Sequence, residues 1–270
     1  MPIKINKFKV SAIAAAFVAA TSAHAASISI ETYDPGNYPG VPGFTKLEGQ
    51  NFDNFAGDPS IDATDTFDVG VFQSLGGIGS GGTVTGAPAS CQGAGAAALC
   101  IRDGYVFGRE STRNPNNGQE GQFLDTNDTH GIGWNVSLED DSYFNTVVFT
   151  LSDASDQGAY VAVTASQTAL GDDPTPEDIL NLDKAFMTPP QANGNVQTVV
   201  IQFDEYVTEG FINIVSFLAE NGEAFLTNDG LSIDGIKVGI APIPVPAAGF
   251  LLVGALGGLG FVGRRRRKTS

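Results

Sequence analysis

Val199-Val200-Ile201-Gln202-Phe203 and, a few residues on, Phe211-Ile212-Asn213-Ile214-Val215-Ser216-Phe217 decide the fold. Val199, Ile201 and Phe203 alternate with their neighbours, and so do Phe211, Asn213, Val215 and Phe217. A period of two places every second side chain on one face of an extended chain, which is the signature of a strand. The same alternation runs through Phe67, Val69 and Val71, through Val147, Phe149 and Leu151, and through Val161 and Val163. Leu231 and Ile233 lead into Ile236 and Val238. Gly, Asp, Asn and Pro separate these runs, as turns require. One stretch alone, residues 175–186, predicts a short helix, with Pro176 in its first turn and Ile179, Leu182 and Phe186 on one face. The expected fold is therefore all-β: an antiparallel β-sandwich, jelly-roll-like, formed by residues 26–240 as one domain.

Composition narrows the function classes. The chain has 270 residues, 42% hydrophobic and 16% charged, with a formal net charge of −16. So apolar a chain with so little charge is not a disordered one. The charge is segregated: all 30 acids and six of the 14 cations lie in residues 26–240, a charge of −24. Such a surface repels polyanions and attracts divalent cations, which argues against a nucleic-acid partner.

The two basic ends read as addresses. Lys4, Lys7 and Lys9 precede an apolar, Ala-rich run, and Ala23-His24-Ala25 forms an A-x-A cleavage site. Residues 1–25 are expected to be a secretory signal peptide with a helical apolar region, which places the mature chain outside the cytoplasm. At the other end, residues 247–262 carry no charge and would make a transmembrane helix about 24 Å long. Arg264, Arg265, Arg266, Arg267 and Lys268 follow and would hold that end in the cytoplasm. Before the helix stand three alternating prolines, Pro242, Pro244 and Pro246, an extended and exposed stretch.

Ile243-Pro244-Val245-Pro246-Ala247, a short Gly/Leu-rich helix and a terminal Arg cluster together resemble the VPLPA-CTERM sorting signal, a variant of the PEP-CTERM class of Gram-negative bacteria. The resemblance covers residues 241–270 and departs from the pattern at Ile243, for Val, and at Val245, for Leu. It implies a partner, an exosortase: a membrane-embedded, cysteine transpeptidase-like enzyme that removes the tail and passes the protein to the cell surface. It also implies a cell-envelope protein that becomes surface-bound or extracellular after processing. By analogy the setting is one of extracellular polysaccharide.

Cys91 and Cys100 are the only cysteines, and in an oxidising compartment they are expected to pair. Closing so short a loop is worth roughly 2.7 kcal/mol in the chain-entropy view. Among chemical motifs, Asp125, Asn127 and Asp128 offer hard oxygens within four residues, a candidate Ca2+ site. The sixth position of that loop is His130 and the twelfth Val136, so it is no EF-hand. The competing reading is an Asx-rich turn. Asn228-Asp229-Gly230 and the pair Asp153 and Asp156 could add oxygens, but spacing alone does not bring them together.

Gly77, Gly79 and Gly82 match G-x-G-x-x-G without the helix or the acid a dinucleotide site needs. His130 is the only histidine of residues 26–270, and a Ser-His-Asp arrangement would have to recruit it with Ser137 and Asp128. Arg102, Arg109 and Arg113, around Tyr105 and Phe107, could clamp an acidic polysaccharide or simply neutralise neighbouring acids. Trp134 could stack on a sugar or lie in the core. These observations favour an exported, non-catalytic surface or matrix protein with no catalytic residues. The alternatives are a calcium-dependent polysaccharide-binding module and a secreted hydrolase.

Overall fold

The computed structural model describes residues 27–243, apart from 54, 56–58, 79–90, 92–97, 104–120, 157, 170–174, 189 and 221–222. The expected signal peptide and nearly all of the expected sorting tail lie outside the described residues. The rest is all-β, with two antiparallel sheets.

The first sheet places β1 (Ile28–Tyr33) beside β12 (Val196–Val207), then β9 (Phe144–Ser152), then β15 (Ser232–Ile240). Beyond β15 come β7 (Gln122–Asp125), β6 (Leu99–Asp103) and β3 (Ser60–Ile61), while β2 (Thr45–Gln50) also pairs with β15. The second sheet runs β11 (Asp183–Met187), β10 (Tyr160–Ser166), β13 (Glu209–Glu220), β8 (Gly131–Ser137), β5 (Gly70–Ser74) and β4 (Thr66–Phe67). One further strand, β14 (Glu223–Leu226), folds back on β13 as a hairpin.

The alternating residues build the layer between the sheets. Val147 of β9 sits opposite Ile201 of β12 and Val238 of β15, and Phe149 sits opposite Val199. All five side chains are fully buried. Facing them from the second sheet are Ile132, Trp134, Val136, Val161, Val163, Ile212 and Ile214, in the same continuous core. Direct contact across the layer is made by the Trp134 and Phe149 rings, edge to face with centroids 6.0 Å apart. At Gly210 of β13 the two sheets come so close that a Cβ would lie 2.8 Å from the ring of Phe203.

A second, smaller apolar cluster joins Ala162, Val215 and Phe217 with Ile179, which lies in the helix α1 (Pro176–Leu180). β13 is thus apolar on both faces, with Ile212 and Ile214 on one and Val215 and Phe217 on the other.

Two local expectations are corrected, and one irregularity is explained. Phe67, Val69 and Val71 do not share one strand: Phe67 pairs with Gly70, so Asp68-Val69 is a two-residue hairpin turn joining β4 to β5. The helix predicted over residues 175–186 stops at Asn181, and residues 183–187 become β11 instead. Thr175 and Asp178 cap its start reciprocally, but one and a half turns is too little to propagate, and β10 offers an open edge. Phe186 consequently stays half exposed beside Phe217. The break of phase between Ile233 and Ile236 is a β-bulge, with Gly235 at φ +61° and its N–H donating to Asp234 Oδ1 at 2.6 Å.

Gly70 enters β5 at φ +109°, where a Cβ would stand 2.0 Å from the Asn135 carbonyl oxygen. Gly70→Ala is expected to destabilise the fold by at least about 2 kcal/mol, read as a lowered urea midpoint with an unchanged slope.

Candidate functional site

β6 and β7 pair so that Cys100 lies opposite Asp125 and Arg102 opposite Phe123. Arg102 is completely buried, as are Asp125 and Asn127. Its Nε donates to Asp125 Oδ2 at 2.7 Å. Its Nη2 donates to Asn127 Oδ1 at 2.5 Å and to the carbonyl oxygen of Cys91. Asp125 Oδ1 in turn accepts the Asn127 N–H at 2.8 Å, closing an Asx turn. Asn127 and Asp128 then bend the chain back through left-handed backbone, at φ 59° and 58°. Cys91 and Cys100 form the expected disulfide, with Cα atoms 5.9 Å apart, which fixes the Cys91 carbonyl against the guanidinium.

The candidate calcium residues therefore part company. Asp125 and Asn127 turn side-chain oxygens onto Arg102, and the guanidinium supplies the positive charge that a metal would have brought. Of the two readings of Arg102 the neutralising one holds, and of the two readings of the loop the Asx turn holds, with the ion pair lying in the interior and not at the surface. A lone arginine in Leu99-Cys100-Ile101-Arg102 was the available clue, because a buried guanidinium needs an acid partner. A clamp on an external polysaccharide cannot use Arg102; Arg109, Arg113, Tyr105 and Phe107 lie outside the described residues.

The same turn leads into a second group of acids. Thr126 N–H donates to the Leu231 carbonyl at 3.0 Å, and Leu231 N–H to Thr126 Oγ1 at 3.1 Å. Across this seam the charge of Asp128 acts on Asp229. From the end of β9, the turn at Asp153 and Ser155 arrives at the same place: Ser155 N–H donates to Asp229 Oδ2 at 2.9 Å. Asp153 Oδ1 accepts the Gly194 N–H at 2.6 Å. Asp229 is 2% exposed and Asp153 1%. Burial lifts the Asp229 carboxyl to about 7, opposed by the Ser155 N–H and reinforced by the negative charges of Asp156, Asp153 and Asp128. Among the described residues no three His, Cys, Asp or Glu side chains form a ready metal cage.

His130 immediately precedes β8 and Ser137 ends it, about 23 Å apart at strand rise, so they do not meet in a triad. The imidazole instead covers Gly77, where a Cβ would come within 2.5 Å of His130 Cδ2, and partial burial lowers its pKa. Of the glycine motif, Gly79 and Gly82 lie outside the described residues. Trp134 belongs to the core: it is 2% exposed, stacks on Phe72 at 5.1 Å and donates from Nε1 to the Val69 carbonyl at 2.9 Å. It offers no platform to a sugar.

No protein-family model matches the chain. No curated protein matches it either. Among solved structures it is similar to the K3 cleaved adhesin domain of Lys-gingipain from Porphyromonas gingivalis W83, at 16% identity and a TM-score of 0.30, over 74% of this chain and 100% of that one. The K1 cleaved adhesin domain of the same protein gives 13% identity and a TM-score of 0.28, over 73% and 99%. Likeness this distant says nothing of what the present chain binds.

Arg102→Met strands the Asp125 charge in the interior and should cost about 3–5 kcal/mol. Adding Asp125→Asn should recover part of that loss, giving a large coupling energy in a double-mutant cycle by urea unfolding.

The folded pKa of Asp229, about 7, lies above the unfolded value near 3.9. Its contribution to stability is thus complete below about pH 4 and is lost as the pH rises through 7. With EDTA present, the wild type should lose stability relative to Asp229→Asn between pH 5 and pH 8, measured from urea midpoints.

Proposed function

We propose that the chain is an exported, non-catalytic cell-surface or extracellular-matrix protein, sorted through its C-terminal tail. One observation carries the reading: the order, in the sequence, of Ile243-Pro244-Val245-Pro246-Ala247, an uncharged 16-residue segment and Arg264 to Arg267. Residues 1–25 direct export and are removed after Ala25. Residues 247–262 then hold the protein in the membrane, with the Arg cluster as the stop. An exosortase-type enzyme cuts near Pro246-Ala247 and releases the acidic β domain to the surface.

The end of the fold supports such processing. Ala241 is buried and clamped on both sides by Asn145, whose Oδ1 accepts its N–H at 2.8 Å and whose Nδ2 donates to its carbonyl at 2.9 Å. Pro242 packs over Gly43, where a Cβ would lie 2.8 Å from its ring. The sorting motif begins at the next residue, Ile243, so the hydrogen-bonded core strands are complete before the motif starts. The Cys91–Cys100 disulfide suits an oxidising compartment. The charge of −24 on residues 26–240 suits a protein that must stay soluble and separate from anionic lipid once released.

Intact masses taken separately from the envelope and the medium of the native host test this. The released form should run from Ala26 to about Pro246. Replacing Pro244 and Pro246 by Ala should leave the tail attached and reduce surface delivery. A mass spanning residues 26–270 in both fractions, or unchanged delivery of the double variant, would overturn the proposal.

A further inference from the structure

We propose that Asp229 binds a calcium ion, drawn there by the nearby charges of Asp128, Asp153 and Asp156, and that this ion ties three turns of the β fold together. The inference is independent of the sorting tail. It also moves the cation away from Asp125 and Asn127, whose side chains serve Arg102.

The observation that points to a ligand is one oxygen. Asp229 is buried, and its Oδ2 takes the Ser155 N–H. Its Oδ1 has no hydrogen-bond partner. A buried carboxylate oxygen left this way is costly, whether the group is charged or carries a proton with no acceptor. The charges of Asp156, Asp153 and Asp128 all act on this carboxyl and all oppose its ionisation. A divalent cation beside Oδ1 answers both problems at once: it satisfies the oxygen and turns the three neighbouring charges from a penalty into an attraction.

The chemistry selects the ion. Every donor named is a hard oxygen, which favours calcium or magnesium over zinc. Magnesium demands a near-ideal octahedron, whereas calcium accepts six to eight oxygens from carboxylates, carbonyls and water in irregular array. Among the described residues no three His, Cys, Asp or Glu side chains are placed to hold a metal ion together, so carbonyls and water must complete the shell around Asp229. Such a site belongs to the weak class, with Kd on the order of 10⁻⁴–10⁻³ M, in the range of extracellular modules.

The three segments that would be joined are distant in sequence. The turn after β7 reaches residues 229–231 through Thr126. The turn after β9 reaches Asp229 through Ser155 and residues 194–195 through Asp153. Calcium at Asp229 would therefore lock the end of β9 to the start of β15.

The test uses the full chain in detergent, titrated calorimetrically with CaCl2 and, separately, with MgCl2. One calcium should bind, and calcium at about ten times Kd should raise Tm by roughly 2–4 °C over EDTA. Asp229→Asn should abolish both the heat and the shift while melting in EDTA no lower than the wild type. Asp156→Asn, at a partly exposed position, should weaken binding at least fivefold with the fold intact by circular dichroism. Absence of calcium heat in the wild type, or wild-type binding by Asp229→Asn, would overturn the proposal. Equal responses to calcium and magnesium that survive Asp229→Asn would also overturn it, marking them as screening of the acidic surface.

Discussion

A carboxylate taken out of water must find a positive partner, strong donors or a proton. A chain with 30 acids and six cations in residues 26–240 meets that constraint under shortage. Asp125 resolves it with Arg102, one of those few cations, and the solution organises its surroundings. The guanidinium gathers β6, β7, the Asn127 turn and the Cys91 carbonyl, and the disulfide closes the ring. Asp229, one turn away, receives the Ser155 N–H on one oxygen and lies under the negative charges of Asp156, Asp153 and Asp128. The two carboxylates sit on a shared seam, Thr126 against Leu231, so the order of one depends on the order of the other.

Much of the fold was legible because strands with one buried face must alternate. Val147, Phe149, Leu151, Val199, Ile201 and Phe203 all lie where their periodicity put them. Alternation failed where backbone geometry intervened. Phe67 and Val71 keep the right spacing for one strand, yet Gly70 admits a φ of +109° that lets the chain reverse between them. Residues 182–186 carry a helical spacing of apolar side chains, but an open edge on β10 outweighed that weak local preference. Short strands such as β3 and β4 leave too little pattern to read at all.

The site was less legible, for a different reason. A loop rich in Asp and Asn shows which oxygens exist but not what they face. Asp125 and Asn127 face Arg102, over 20 residues away in sequence, and Asp229 faces residues 153–156, over 70 away. Those meetings follow from sheet order, with β15 lying between β9 and β7, and nothing local to either loop encodes them. The tail presents the reverse case. The proposed sorting signal rests on a resemblance carried by consecutive residues, Ile243 to Ala247 and Arg264 to Arg267, and so on no tertiary structure.

β15 also has a mechanical meaning. Among the described residues it is the strand nearest the C-terminus, and it is flanked by β9 on one edge and by β7 and β2 on the other. A tether attached beyond Ala241 would pull β15 along its own axis. The backbone hydrogen bonds on both edges lie across that axis, so they would be loaded in shear and would have to fail together. Peeling, which breaks bonds one at a time, is the weaker geometry. A domain held by this strand would resist drag from its surroundings with its strongest orientation facing the load.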